Sequence, residues 1–426
     1  MKIENKLWVL RMALAGALSL GLATVAKADT RLDSLGADVR AVEDIDSIFL
    51  YANQVLQYKD TVDFRLNVDG NNSGWGNGIK EWGGVIHNFS DDFGTVAIYV
   101  NRPNNTPTVA GSLFNAGTTH LLPGNQIFAA SNSTVGGAGN VYAPKSDNAD
   151  VFWGKSSFMG IGDVALHLTY GDDENPVSAD KYTSQVWGLS LGLGLGPWMG
   201  FSQTNVHVDY AEDFVQDNNG KTPLGDNGIY TLKLGALAQT DLNANDALRL
   251  FIDGQYDNDS LPTGWFAAQQ AANDYELLLG ASIKHAISSK GFVSTGLELE
   301  YDNVNPSTTN TDVVYSAIWN GCVESALTSW LTMRAGLDKA IINQTYVQGA
   351  AVNTMDNSLT QAVGLGNNNV AFNVGFGINV ENWMLDTNVK VEDLENGIGS
   401  FMPGQGILFT GGNVLTITEA DLRYKF

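Results

Sequence analysis

From about residue 60 to the C-terminus the chain alternates apolar and polar residues in runs of about ten, separated by clusters of Gly, Asn, Asp, Ser and Pro. A period of two is the signature of strands, because successive side chains on a strand point to opposite faces. Val370, Phe372, Val374, Phe376, Ile378 and Val380 are apolar, and between them stand Ala371, Asn373, Gly375, Gly377 and Asn379. Leu248, Leu250, Ile252, Gly254 and Tyr256 alternate with Arg249, Phe251, Asp253 and Gln255 in the same way. Val293, Thr295, Leu297, Leu299 and Tyr301 alternate with Ser294, Gly296, Glu298, Glu300 and Asp302. Charged side chains therefore share one face of long strands, which a closed sheet with a wide interior tolerates.

The connections sharpen this reading. Short links fall near Asp91-Asp92, Gly160-Ile161, Gly196-Pro197, Asn243-Ala244-Asn245, Ser288-Ser289, Gly321-Cys322 and Glu381-Asn382. Longer segments lie between them, around 69–80, 102–149, 172–181, 212–227, 258–272, 303–310, 340–368 and 393–413. Alternating short turns and long loops predict an all-β, transmembrane antiparallel β-barrel of about 14–16 strands, with both termini on one side. Aromatics recur at both strand ends, as Tyr170, Tyr210, Tyr256 and Tyr301 before the long loops and as Phe93, Trp198, Phe292, Trp330 and Trp383 beside the short turns. Two such bands are the interfacial girdles of a membrane barrel.

Residues 1–28 read as a signal peptide. Lys2, Lys6 and Arg11 precede an apolar run from Met12 to Ala26, and Ala26-Lys27-Ala28 supplies a small-x-small cleavage site after Ala28. About 15 apolar residues fall short of the roughly 20 a spanning helix needs. Removing them takes away Lys2, Lys6, Arg11, Lys27 and Glu4, leaving 19 basic against 45 acidic residues, a net charge of −26. Nucleic acid is a poor partner for such a chain. The single cysteine, Cys322, can form no internal disulfide. The address is a bacterial outer membrane, with membrane lipid and lipopolysaccharide as surroundings.

The last residues, Ala420-Asp421-Leu422-Arg423-Tyr424-Lys425-Phe426, alternate to an aromatic end. Leu422, Tyr424 and Phe426 resemble the C-terminal signature by which outer-membrane barrels are recognised by their assembly machinery, which is thereby implied as a partner in biogenesis. Residues 29–60 do not alternate and look partly helical. Here Leu35-Gly36-Ala37, Ala41-Val42-Glu43-Asp44 and Ala52-Asn53-Gln54 resemble the opening of the FadL-like superfamily of fatty-acid channels. Gln54 stands where those proteins carry proline, and one glycine of the first element is missing. The resemblance implies a hatch inside the barrel of residues 61–426, with Leu35, Gly36, Asp44 and Asn53 at its marked positions. An ordinary periplasmic extension is the other reading of this segment.

No catalytic, metal or cofactor chemistry emerges. Gly188-Leu189-Ser190-Leu191-Gly192 matches a nucleophile pattern but sits in an alternating strand rather than a strand-to-helix elbow. His87, His120, His167, His207 and His285 show no metal-ligand spacing. Asp217-Asn218-Asn219-Gly220 lacks the glutamate that would complete a calcium loop. Alternation places Lys233, Arg249, Lys284, Arg334, Lys390 and Arg423, with Asp253, Glu276, Glu298, Glu300, Asp386 and Asp421, in or near the lumen. Three functions follow as expectations: a porin-like channel whose acid excess favours cations, a FadL-like transporter of hydrophobic compounds with a plugged lumen, and a structural or secretion-associated barrel that binds a protein partner.

Overall fold

The computed structural model describes residues 30–68, 79–100, 147–175, 182–217, 229–259, 272–307, 310–348, 355–357, 370–390 and 416–426. The proposed cleavage site at Ala28, and most of the segments read as long loops, lie outside the described residues. The chain opens with helix α1 (Thr30–Leu35) and two 3-10 turns, Ile45–Phe49 and Ala52–Gln57. The strands are β1 (Thr61–Val68), β2 (Ile79–Ser90), β3 (Gly94–Val100), β4 (Asp147–Phe158), β5 (Gly162–Asn175), β6 (Tyr182–Leu195), β7 (Gln203–Asp217) and β8 (Ile229–Asp241). They continue as β9 (Asp246–Asp259), β10 (Ala272–Ser288), β11 (Gly291–Ser307), β12 (Asn310–Ala326) and β13 (Leu331–Gln348). A three-residue β14 (Met355–Asn357) precedes β15 (Val370–Val380), β16 (Trp383–Lys390) and β17 (Thr416–Lys425).

Every described pairing is antiparallel and joins neighbours in the chain, and β17 returns to β1, so the sheet has no edge. Short β14 pairs only with the outer end of β13, whose lower part pairs β15. The wall is thus a closed barrel of sixteen strands, at the upper end of the expected range. Closure leaves no unpaired strand backbone facing lipid, which is the condition for spanning a bilayer with strands. The closing register sets Asp63 opposite Arg423 and Arg65 opposite Asp421. Two opposite-charge pairs so placed favour this register over a one-residue slip, which would turn one strand's two charges toward lipid and leave the other two unpaired.

Burial follows the alternation. On β11, Val293, Leu297 and Leu299 are exposed outward, while Ser294 and Glu298 are buried inward. Leu166, Leu168, Leu189, Leu191, Leu232, Leu234, Ile252, Leu277 and Leu279 extend the same exposed apolar band around the wall. Water would not tolerate a band of that extent, but acyl chains solvate it. Neighbouring Tyr210, Tyr230, Tyr256 and Tyr275 run as a ladder of ring contacts across β7 to β10, with centroids 5.0–6.2 Å apart. Tyr170–Trp187 and Tyr301–Tyr315 contacts lie on either side of it. A closed barrel with an outward apolar band and an aromatic girdle is a bacterial outer-membrane barrel. Among the described residues no helix is long and apolar enough to cross a membrane.

Several details differ from the sequence reading. The segment read as a loop at 303–310 is strand in its described residues, since β11 runs to Ser307 and β12 starts at Asn310, and β13 extends to Gln348 within the segment read as loop 340–368. Gly321-Cys322 is not a turn; both residues lie inside β12, and the turn is formed by residues 327–330. Asn320-Gly321 has turn chemistry, but Gly321 faces outward beneath the Trp319 ring, 3.4 Å from where a Cβ would stand. Phe292 belongs to no girdle. It is buried inward, in a cluster that includes Leu32, Leu35 and Val39, with the Lys284 ammonium 4.4 Å from its ring centroid.

Candidate functional site

Residues 30–58 lie inside the barrel, packed against inward-facing side chains on strands all around the wall. Asp44 caps the first 3-10 turn by accepting from the Ile45 amide, which fixes where the chain changes direction. On one side, Ile45, Ile48, Phe49, Ala52, Val55 and Leu56 pack on Trp82, Ile86, Ala97, Tyr99, Phe152 and Ala165 of β2 to β5. Phe49 meets Tyr99 and Phe152 edge to face, at 5.1 and 5.4 Å. On the other side, Leu32, Leu35, Val39, Val42, Leu50 and Tyr51 share a cluster with Leu237, Phe251, Leu278, Phe292 and Cys322 of β8 to β12.

Between these apolar contacts runs a ring of alternating charges. Arg31 Nε donates to Glu324 at 2.8 Å, and Arg334 Nε donates to the same carboxylate at 2.6 Å. Arg334 Nη1 reaches Asp386 at 2.6 Å, whose second oxygen is 3.9 Å from Arg423. Arg423 Nη2 donates to Asp44 at 3.1 Å, and Asp44 closes the ring by accepting from Arg31 at 3.0 Å. Two members belong to the N-terminal segment and four to β12, β13, β16 and β17. Further clamps join Arg65 to Asp46, bidentate at 2.6 and 2.5 Å, Arg249 to Glu43 at 3.2 Å, and Asn53 to Asn205 at 2.8 Å. Arg40 donates to Asp253, whose other oxygen lies 2.7 Å from His207 Nε2. Fixed bidentate geometry of this kind holds orientation as well as charge.

Burial works against the charge of Asp44, but Arg423 and Arg31 hold its carboxyl well below the usual carboxylate range. A depressed folded pKa means its contribution is complete above the ordinary value of 3.8 and is lost only as pH falls through the lower folded value. The contribution of Asp44 to docking is therefore expected to be constant from pH 8 to pH 5. Asp44→Asn should weaken it at every pH in that window by on the order of 3 kcal/mol, because two buried guanidinium groups lose a shared partner. Reactivity of buried Cys322 toward a charged thiol reagent, taken at each pH relative to the denatured chain, measures both effects.

A cleft of about 430 Å³ is bounded by Arg31, Glu43, Asp44, Tyr58, Lys290, Glu324, Arg334 and Arg423, beside the 288–290 and 327–330 turns. Here the segment leaves room beside the wall at the turn end of the barrel.

Of the residues placed in the lumen by alternation, Lys233, Arg249, Asp253, Glu298, Arg334, Asp386, Asp421 and Arg423 are buried. Glu276, Lys284 and Glu300 are half-buried on inward positions of β10 and β11. Glu298 accepts from Asn320 at 3.0 Å and Glu300 from Ser316 at 2.8 Å. The Lys390 backbone pairs with Asn373 and Thr416, and its side chain lies outside the described residues. Leu35, Asp44 and Asn53 are buried in the segment and Gly36 follows α1 with φ +55°, a conformation glycine adopts without strain. Leu422 and Tyr424 are half-buried, and exposed Phe426 stacks on His87 while its amide donates to the Asp60 carbonyl at 3.0 Å. Sequence reasoning missed Arg31, Arg40, Asp46, Asp63, Arg65 and Glu324. For Asp63, Arg65 and Glu324 the signal was strand parity alone, since Asp63 and Arg65 alternate with Val62 and Phe64.

Ser190 sits mid-strand in β6, buried and opposite His167, whose Nε2 is 2.7 Å from Asp150 and whose ring is stacked flat under Phe152 at 4.0 Å. Among the described residues no group of His, Cys, Asp and Glu could hold a metal ion.

No protein-family model and no curated protein sequence matches the chain. Similar solved structures include BamA from Haemophilus ducreyi lacking POTRA domains 1–3, with TM-score 0.38 and 11% identity over 86% of this chain and 70% of that one. CdiB from Escherichia coli aligns with TM-score 0.42 and 8% identity over 86% of this chain, which spans 62% of CdiB. A Pseudomonas aeruginosa FadL homologue aligns with TM-score 0.38 and 10% identity over 95% of this chain and 99% of that one. Likenesses this loose say nothing about cargo.

Proposed function

We propose that the protein is a stoppered outer-membrane conduit for small molecules, in which residues 30–58 close the lumen. The observation that carries this reading is the charge ring that ties Arg31 and Asp44 to β12, β13, β16 and β17. A freely open porin has no need of a segment so held, whereas a gated passage does. Sixteen-stranded barrels are wide enough to leave an aqueous channel when nothing fills them. Hydrophobic cargo, as in the FadL-like alternative, suits the aromatic wall of Trp82, Tyr99 and Phe152 that the segment covers. The chain is read as a passage and not as an enzyme, because Ser190 lacks an elbow and His167 is sealed beneath aromatic rings.

The test is conductance of the purified full-length protein in a planar bilayer. Silence, from protein that still shows strand-type circular dichroism, is the expected result. Large, steady, ohmic steps would overturn the stopper and return the reading to an open porin.

A further inference from the structure

Three tight turns at the short-turn end of the barrel share one backbone feature and differ in chemistry. Met159-Gly160-Ile161 links β4 to β5, with φ +51° at Met159 and +76° at Gly160. Met199-Gly200 sits between β6 and β7, with φ +50° and +89°, inside a Trp198–Phe201 bridge. Glu381-Asn382 links β15 to β16, with φ +57° at Glu381. A left-handed first position in a tight hairpin favours Asn, Asp or Gly, and a long side chain there carries backbone strain. Glu381 at least directs that strained position toward water. The two methionines do the opposite, standing 83% and 77% exposed with no packing partner to reward them.

Their surroundings are equally apolar. Phe158-Met159-Gly160-Ile161-Gly162 and Gly196-Pro197-Trp198-Met199-Gly200-Phe201 contain no charge, and Ile161 and Trp198 are 60% and 50% exposed. The turns belong to neighbouring hairpins, and their apolar surface continues into the lipid-facing band through Leu166 and Leu168 of β5 and Leu189 and Leu191 of β6. On the far side of the barrel the turns carry Lys290, Thr328, Ser329 and Glu381 beside exposed Leu327 and Trp330, and the charged cleft opens among them, so that side mixes charge with apolar surface where the β4–β5 and β6–β7 turns carry apolar surface alone.

We infer that the β4–β5 and β6–β7 turns form a membrane-docking patch whose partner is the periplasmic leaflet of the bilayer, so that the barrel sits tilted, with this side sunk into lipid and the Glu381 side raised into water. The case for lipid over a second copy of the chain is continuity: the patch extends a surface already solvated by acyl chains. Tilting also turns the charged cleft toward the aqueous side, where solutes leave or enter.

Cysteines introduced one at a time by Met159→Cys, Met199→Cys and Glu381→Cys, each with Cys322→Ser, carry a bimane fluorophore in phospholipid vesicles with or without brominated acyl chains. Bromolipid is expected to quench the first two at least threefold more strongly than the third, while aqueous iodide quenches mainly the third. Equal bromolipid quenching at all three sites would overturn the tilt. Iodide quenching at positions 159 and 199 would overturn the lipid contact. Protection from both quenchers, with cross-linking between copies, would give the patch to a second barrel instead. The unaltered protein supplies a check that needs no substitution: a membrane-impermeant oxidant should spare Met159 and Met199 in vesicles, and their ready conversion to the sulfoxide would also overturn the contact.

Discussion

Deleting residues 31–56 turns a silent barrel into one that conducts in large, steady steps. The wall does not depend on the segment for its backbone hydrogen bonds, since each long strand is paired on both sides and β1 closes on β17. Removal does leave Arg65, Arg249, Arg423, Glu324 and Asp253 without their partners in the segment, but β-strand neighbours retain part of each pairing: Asp63 and Asp421 for Arg65, Gln239 for Arg249, Asp421 for Arg423, Arg334 for Glu324 and His207 for Asp253. Water entering the emptied lumen solvates the rest, so the charges cost little once they are no longer buried. Conductance should rise from nothing to that of an open aqueous pore, while heat-modifiable migration and strand-type circular dichroism persist. A barrel that stays folded and silent after the deletion would show that the barrier lies elsewhere, and the stopper reading would fall.

Much of this architecture was legible in the chain, and the places where it was not share a cause. On β15, and on β9 and β11 apart from inward Phe251 and Phe292, the outward face is apolar and the inward face small, polar or charged, so the contrast between alternate residues sets the register. On β2, β3 and β4 the inward face carries Trp82, Ile86, Ala97, Tyr99 and Phe152, which pack on the N-terminal segment, while Val85, Ile98 and Val151 face out. Both faces are apolar there, and the period-two contrast fades. Phe292 was misplaced for the same reason: an aromatic beside a turn reads as a girdle unless something inside the barrel needs it. The charge ring was half visible. Arg334, Asp386 and Arg423 follow from alternation, whereas Arg31 and Asp44 lie in a segment without a period, and only long-range geometry joins them to Glu324. The FadL-like resemblance pointed to residues within this stretch but named none of the arginines that fasten it.

Gly336→Val should unseat α1 while leaving the barrel closed. Gly336 faces inward on β13, and a Cβ there would stand 1.6 Å from the Leu35 carbonyl oxygen and 2.0 Å from its carbon. Nearby Gly375 on β15 plays the same part toward Ser34, with 2.2 Å to its Cβ. The helix therefore lies directly on the strand backbone, and the atoms in the way are main chain, which no rotamer change can move aside. Valine is a favourable strand residue, so β13 itself tolerates the change, and the strain falls on the docked segment. Overpacking of this kind costs about 1–3 kcal/mol, more where backbone must shift. At 1.4 kcal/mol per tenfold, the population with α1 displaced rises roughly 5- to 150-fold. Cys322 reports it, because the only thiol of the chain lies buried in the same apolar cluster as Leu32 and Leu35. Its reaction with a charged thiol reagent should accelerate by at least about fivefold, and brief conducting events should appear in the bilayer. Gly254→Val is the control: its nearest neighbour to a new Cβ is 3.9 Å away, and it should change neither readout. If Cys322 in the Gly336→Val protein stays as unreactive as in the unaltered chain, α1 does not rest on β13 in the membrane, and the close contact that defines the stopper's seat does not exist there.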